Sequence, residues 1–272
     1  MTSTIAPLLV DRRAMGLGLF AALQAPVIAH AATPSAEALM TASYKAGRFN
    51  SAKFQAQLQL TGQGAPRLRE LTGASRLLEN GAAMARLMKI NAPSDMRGVG
   101  TLTVERPAAS DDLWVYLPSL RRIRRLVSSN RRDPWLGSDF SLGDIVGHDV
   151  ADWRHVTLRR ETVAGAPCTV VESLPNRQGL AAETGYSRRL TWVRDSDAVA
   201  AKATFYDLSG GLLKTMDASD VRLLDAKEGK SQAMRITMRN ERAKTVSVLN
   251  FRDFKINAPV AASEVAPGAL TS

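Results

Sequence analysis

Six arginines and four aromatic residues fall between Trp114 and Phe140. The arginines are Arg121, Arg122, Arg124, Arg125, Arg131 and Arg132; the aromatics are Trp114, Tyr116, Trp135 and Phe140. A guanidinium group recognises carboxylate or phosphate through paired N–H donors, while its stem and the neighbouring rings cover apolar surface. The chemistry on offer is therefore binding: a ligand oily at one end and anionic at the other. Trp114, Tyr116, Leu117, Trp135, Leu136 and Phe140 are the candidates for its apolar part, and the six arginines for its anionic part or for an acidic partner. The plainer reading is a solvated basic hairpin over an ordinary core.

Groups that could do catalysis are sparse. There is no G-x-S-x-G, no G-x-x-x-x-G-K and no H-E-x-x-H pattern. Ser138 and Asp139 are adjacent, but neighbours in sequence do not make a nucleophile and its base. Asp144, His148, Asp152 and His155 lack ordered metal-ligand spacing and read as a charged connection. Cys168 is the only cysteine; it lies in an apolar strand and reads as a small buried hydrophobe. No catalytic residue, metal or cofactor is expected.

The elements that would hold the aromatic and basic groups are mostly strands. Phe54, Ala56, Leu58 and Leu60 alternate with Lys53, Gln55, Gln57 and Gln59. Similar patterns recur at 83–90, 101–105, 156–162, 168–174, 188–194, 200–207, 212–218, 234–239 and 245–248. Trp114 to Pro118 reads as a central strand apolar on both faces, and Arg121 to Val127 as the next. The total is roughly eleven strands at hairpin spacing, so the sheet should be antiparallel. Thr33-Pro34 predicts the start of an amphipathic helix that carries Leu39 and Met40 on its apolar face and stops at Gly47. Ser141 to Val146 predicts one short helical turn. Two helices are too few to cover so wide a sheet. The expected architecture is a curved, half-open β-barrel with these helices as a lid, leaving an apolar hollow.

The chain has 272 residues, 45% of them hydrophobic, and a formal charge of +10. Arg12-Arg13, the apolar run from Ala14 to Ala29 and Ala29-His30-Ala31 read as a secretory signal cut before Ala32. The arginine pair also fits the twin-arginine route. Residues 1–31 are thus a leader, 32–257 the folded domain, and 258–272 an Ala/Pro-rich tail expected to be flexible. The basic surplus suits anionic partners such as phospholipid head groups. Export and the lack of a helix-turn-helix or finger pattern argue against nucleic acid.

The segments Leu113-Trp114-Val115-Tyr116-Leu117-Pro118-Ser119-Leu120-Arg121-Arg122-Ile123-Arg124-Arg125 and Leu136-Gly137-Ser138-Asp139-Phe140-Ser141-Leu142-Gly143-Asp144-Ile145 carry a family likeness. Gly185-Tyr186-Ser187, Thr191-Trp192-Val193, Phe205-Tyr206-Asp207 and Leu213-Lys214-Thr215 add to it. The sequence resembles the LolA-like outer-membrane lipoprotein-sorting family, in particular its larger branch often encoded beside resistance-nodulation-division-type exporters. The likeness spans about Lys53 to Phe254. It departs at Asp133-Pro134-Trp135, where relatives often carry a phenylalanine and a methionine before the glycine. The resemblance implies a periplasmic half-open barrel that holds acyl chains of a lipid or lipoprotein and hands cargo on, with no catalytic residues. It leaves an exporter as one partner, and a regulatory module binding a membrane-anchored protein as the alternative.

Overall fold

Alternating side chains build one antiparallel sheet from all thirteen strands of the described residues. The computed structural model describes residues 1–2, 34–62, 64–106, 109–147 and 149–272. The expected leader, beyond its first two residues, lies outside them, as do Thr33 and His148. Within Pro34–Ser272 the strands are β1 (Ser51–Thr61), β2 (Arg67–Leu78), β3 (Ala83–Ala92), β4 (Gly100–Val104), β5 (Asp112–Leu117), β6 (Arg122–Leu126), β7 (Trp153–Val163), β8 (Ala166–Pro175), β9 (Arg188–Arg194), β10 (Ala200–Tyr206), β11 (Leu212–Asp225), β12 (Lys230–Asn240) and β13 (Thr245–Ile256). Their order is β6-β5-β4-β3-β2-β1-β13-β12-β11-β10-β9-β8-β7, a 13-stranded sheet. The pairing of β1 with β13 joins two meanders, and β6 and β7 remain as edges. The sheet is unclosed, as the half-open barrel requires.

Curvature follows from where the apolar side chains meet. Met88 and Ile90 of β3 and Ala203 and Phe205 of β10 belong to one buried cluster. Six strand spacings separate β3 from β10, about 29 Å in a flat sheet. They share a core because the sheet curls and because the β6–β7 connection fills its hollow with Trp135, Phe140, Leu142 and Val146. The alternation expected in β1 is present: Phe54, Ala56, Leu58 and Leu60 are buried and the glutamines are not. The outer end of the Phe54 ring occupies the space over Gly73 of β2, where a Cβ would come within 2.2 Å of it.

Among the described residues three α-helices accompany the sheet: α1 (Ala36–Ala46), α2 (Leu142–Val146) and α3 (Leu180–Thr184). The cap of α1 is Ser35, not Thr33; its side chain accepts from the Ala38 N–H at 3.1 Å, and Pro34 precedes the cap. α1 lies against β7, β9 and β12. α2 begins at Ser141 with a reciprocal cap: Ser141 Oγ accepts from the Asp144 N–H at 3.1 Å, and Asp144 accepts from the Ser141 N–H at 2.8 Å. No helix among the described residues is long and apolar enough to cross a membrane.

Three expectations are corrected. β2 was missed because its alternation is inverted at the start: Arg69 and Leu71 are buried while Leu68 is 49% exposed. β5 is paired on both sides, to β4 and β6, but it lies one strand from the edge and is less covered than expected: Trp114, Val115, Tyr116 and Leu117 are only half-buried. The tail from Ala258 is docked, not loose. Two 3₁₀ turns, Ala262–Val265 and Pro267–Leu270, carry Val260, Val265 and Leu270 into a second core with Leu87 and Leu102. That core lies on the sheet face opposite Trp135 and supplies the cover that face needs.

Candidate functional site

The connection between β6 and β7 is fixed in the hollow by its own backbone and by the strands beneath it. The Trp135 N–H donates to the Phe140 carbonyl at 2.7 Å, and the Leu142 N–H to that of Asp133 at 2.9 Å. Asp139 accepts from the Ser247 hydroxyl at 2.6 Å and from Thr245, tying the loop to β13. Ser138 Oγ donates to the Trp135 carbonyl at 2.6 Å. Ser138 and Asp139 therefore hold the loop and do not pair with each other. Trp135 is wholly buried, donates to Thr101 at 3.2 Å, and meets Phe140 edge-on. Leu136 takes a left-handed conformation, φ 49°, which sharpens the turn.

On one side of Phe140 lies an apolar cavity of about 340 Å³. Met40 and Tyr44 of α1 and Ile145 of α2 cover it; Ala203, Phe205, Met216, Ile236, Met238 and Leu249 form its sheet wall. Its size falls at the lower end of small-molecule sites. On the other side of Phe140 is a more polar hollow of about 400 Å³, bordered by Leu60, Leu213, Arg67, Arg132 and Lys214. Phe140 is the wall common to both.

Polar groups cluster at the rim of the apolar cavity. The Tyr186 hydroxyl donates to Asp144 at 2.9 Å, and Lys214 Nζ donates to that carboxylate at 3.3 Å and to the Tyr186 oxygen at 3.1 Å. Burial, then the charge of Asp144, pushes the Tyr186 phenol well above its ordinary range, so it stays protonated. His155 Nε2 donates to the Val150 carbonyl at 3.0 Å, which leaves Nδ1 to accept from Ser173 at 2.8 Å. Burial holds that imidazole below its usual pKa. Arg189 stacks its guanidinium 4.0 Å over the Trp153 ring.

The residues singled out in the sequence are divided among several places. Met40 lines the apolar cavity and Phe140 lines both hollows. Leu39 is half-buried on α1 and does not line the cavity. Trp135 belongs to the solid core, with Leu136 packed against it. Trp114 and Tyr116 are corrected: strand alternation turns them to the opposite face, against the docked C-terminal segment. Leu117, at the end of β5, is half-buried. Arg121, Arg122, Arg124, Arg125 and Arg132 are exposed. Arg125 pairs with Asp112 and Arg131 with Asp111. Burial pushes the Asp112 carboxyl up, but hydrogen bonds from Arg106 and Arg125 outweigh it and hold it below the usual range. Asp152 pairs with Arg177 at 3.1 Å. Phe205 of the sheet wall and Lys214 enter the sequence reading only within motifs of the family likeness; Arg189 and the rest of the wall are not named there. Their signal was the alternation of β9 to β13, which marks inward positions without saying which border empty space.

Comparison with known proteins places this architecture. A family model described as an uncharacterized protein matches residues 83–271, more than half of the sequence. The chain belongs to that family. No curated protein matches by sequence. Among solved structures, a Vibrio parahaemolyticus domain named for outer membrane lipoprotein sorting has 22% identity and a TM-score of 0.79, covering 88% of this chain and 98% of its own. A DUF1329 family protein from Desulfovibrio piger has 23% identity and a TM-score of 0.79, with 88% and 100% covered. A LolA superfamily protein from Nitrosomonas europaea has 24% identity and a TM-score of 0.63, with 86% and 98% covered. At these identities the likeness establishes the fold: a LolA-like, unclosed antiparallel sheet.

Proposed function

We propose that this protein is a non-catalytic periplasmic carrier that holds an acyl chain of a lipid or lipoprotein in the hollow of its sheet. The observation that carries the reading is the apolar cavity of about 340 Å³ between α1 and strands β10 to β13. Met40, Phe140, Phe205, Met216 and Met238 supply flexible and aromatic walls suited to a hydrocarbon chain. Exposing such a chain to water costs about 0.8 kcal/mol per CH₂, roughly ten kcal/mol for sixteen carbons. A cavity that hides it removes that barrier to crossing an aqueous compartment. The lipoprotein-sorting names of the fold relatives agree with this reading, and the basic, leader-like start agrees with export.

The edge strand β6 is the surface we assign to a partner. Arg121, Arg122 and Arg124 are exposed there, flanked by Leu120 at 62% and Val127 at 68% exposure. A cationic rim with apolar corners and an unpaired strand edge suits the acidic mouth of an inner-membrane exporter of the resistance-nodulation-division type, or a membrane-anchored regulatory protein. Organic extraction of the purified full chain, read by mass spectrometry, tests the carrier reading. An acyl-bearing amphiphile near one per chain is expected. Repeated absence of any bound or bindable amphiphile overturns it.

A further inference from the structure

The cavity wall is largely apolar; its polar members are Ser43, Tyr44, Asp144, His155, Thr191 and Arg189 of β9. Arg189 is the residue whose charge is left over. Its Nε is buried and has no hydrogen-bond partner, and no carboxylate among the described residues lies within ion-pairing distance of it. Asp144 is the nearest source of negative field, but it already holds Lys214 and the Tyr186 hydroxyl. His155, on the same wall, has its pKa lowered by burial, which outweighs the opposite pull of its hydrogen bond to the Val150 carbonyl. The cluster of Asp144, Lys214 and Arg189 thus carries one uncompensated positive charge. Stacking on Trp153 steadies the face of the guanidinium but leaves its edge donors uncommitted.

From this arrangement we infer that the cavity selects a single-chain amphiphile with an anionic head, bound head-inward so that its carboxylate meets Arg189 while its chain runs along Phe205, Met216 and Met238 towards Phe140. The inference rests on the carrier reading and narrows its ligand to a fatty-acid-like molecule. Burial pushes the Arg189 guanidinium down to about 10, and the field of Asp144 only partly offsets it. A neutral long-chain alcohol would satisfy the hydrocarbon wall and leave that charge as it was. A small anion would meet the charge and leave the wall empty.

The test is a titration of the full chain at pH 8 with myristate, tetradecanol and acetate, repeated with Arg189→Gln and Arg189→Lys. Myristate is expected to bind at least tenfold more tightly than tetradecanol, and acetate at equal concentration should not displace it. Arg189→Gln should erase the preference while keeping the alcohol's affinity, and Arg189→Lys should retain part of it. Equal binding of acid and alcohol by the native chain overturns this inference and leaves the carrier reading standing; it needs no variant to fold. Displacement by acetate overturns it as well. Failure of both long-chain probes to bind overturns this inference and the carrier reading together.

Discussion

Lys214 and Asp144 meet with only 10% and 5% of their side chains exposed, so each relies on the other and on Tyr186 for what water would supply. Removing one member of a buried pair leaves the other charge uncompensated. Lys214→Met should therefore destabilise the fold by about 3–5 kcal/mol, seen as a lower midpoint in urea. Nearby His155 gives a pH dependence of definite sign. Its folded pKa lies below the unfolded value, so the unfolded chain binds the proton more readily. Its contribution is whole above the unfolded pKa of about 6.5 and is lost as pH falls through the folded one. The melting temperature should fall on acidification below about pH 6.5, and His155→Gln should flatten that slope. A slope unchanged by the substitution would mean that other groups set it.

At the scale of elements, the docked C-terminal segment is as much part of the fold as any strand. Leu270 is 1% exposed and fills the face that Leu87, Leu102 and Trp114 present. Leu270→Ala should cost about 2–5 kcal/mol, and truncation at Ala258 more, with Trp114 becoming accessible to a fluorescence quencher. Sequence composition concealed this: alanine and proline read as a loose end, and the anchors are single residues spaced across two turns. Periodicity served well where strands have one wet and one dry face, as in β1. Asp207 to Gly211 closes the β10–β11 hairpin, with the Asp207 N–H on the Gly211 carbonyl at 2.9 Å. It failed in β2, where Arg69 points in and Leu68 out, because long-range packing decided the register.

For the whole molecule, the two unpaired edges and the few helices account for both shape and hollow. A sheet of 13 strands exposes more apolar inner face than α1, α2 and the Trp135 loop can cover. The need for a hollow was legible from that imbalance of strands over helices. Its lining was not, because inward-facing residues of a curved sheet look alike in sequence whether they meet another side chain or empty space. Hence Trp135 is core, Phe140 is a partition, and Ala203 and Met216 border the space. Ala203 decides the matter most directly, since a larger side chain there enters the cavity without disturbing the loop. Ala203→Phe and the native full chain should be titrated side by side with a fluorescent acyl-chain probe. The native chain is predicted to bind saturably at one site, and the variant to melt at the same temperature but bind at least tenfold more weakly. A folded variant that binds the probe as tightly as the native chain would place the acyl chain elsewhere and contradict the account.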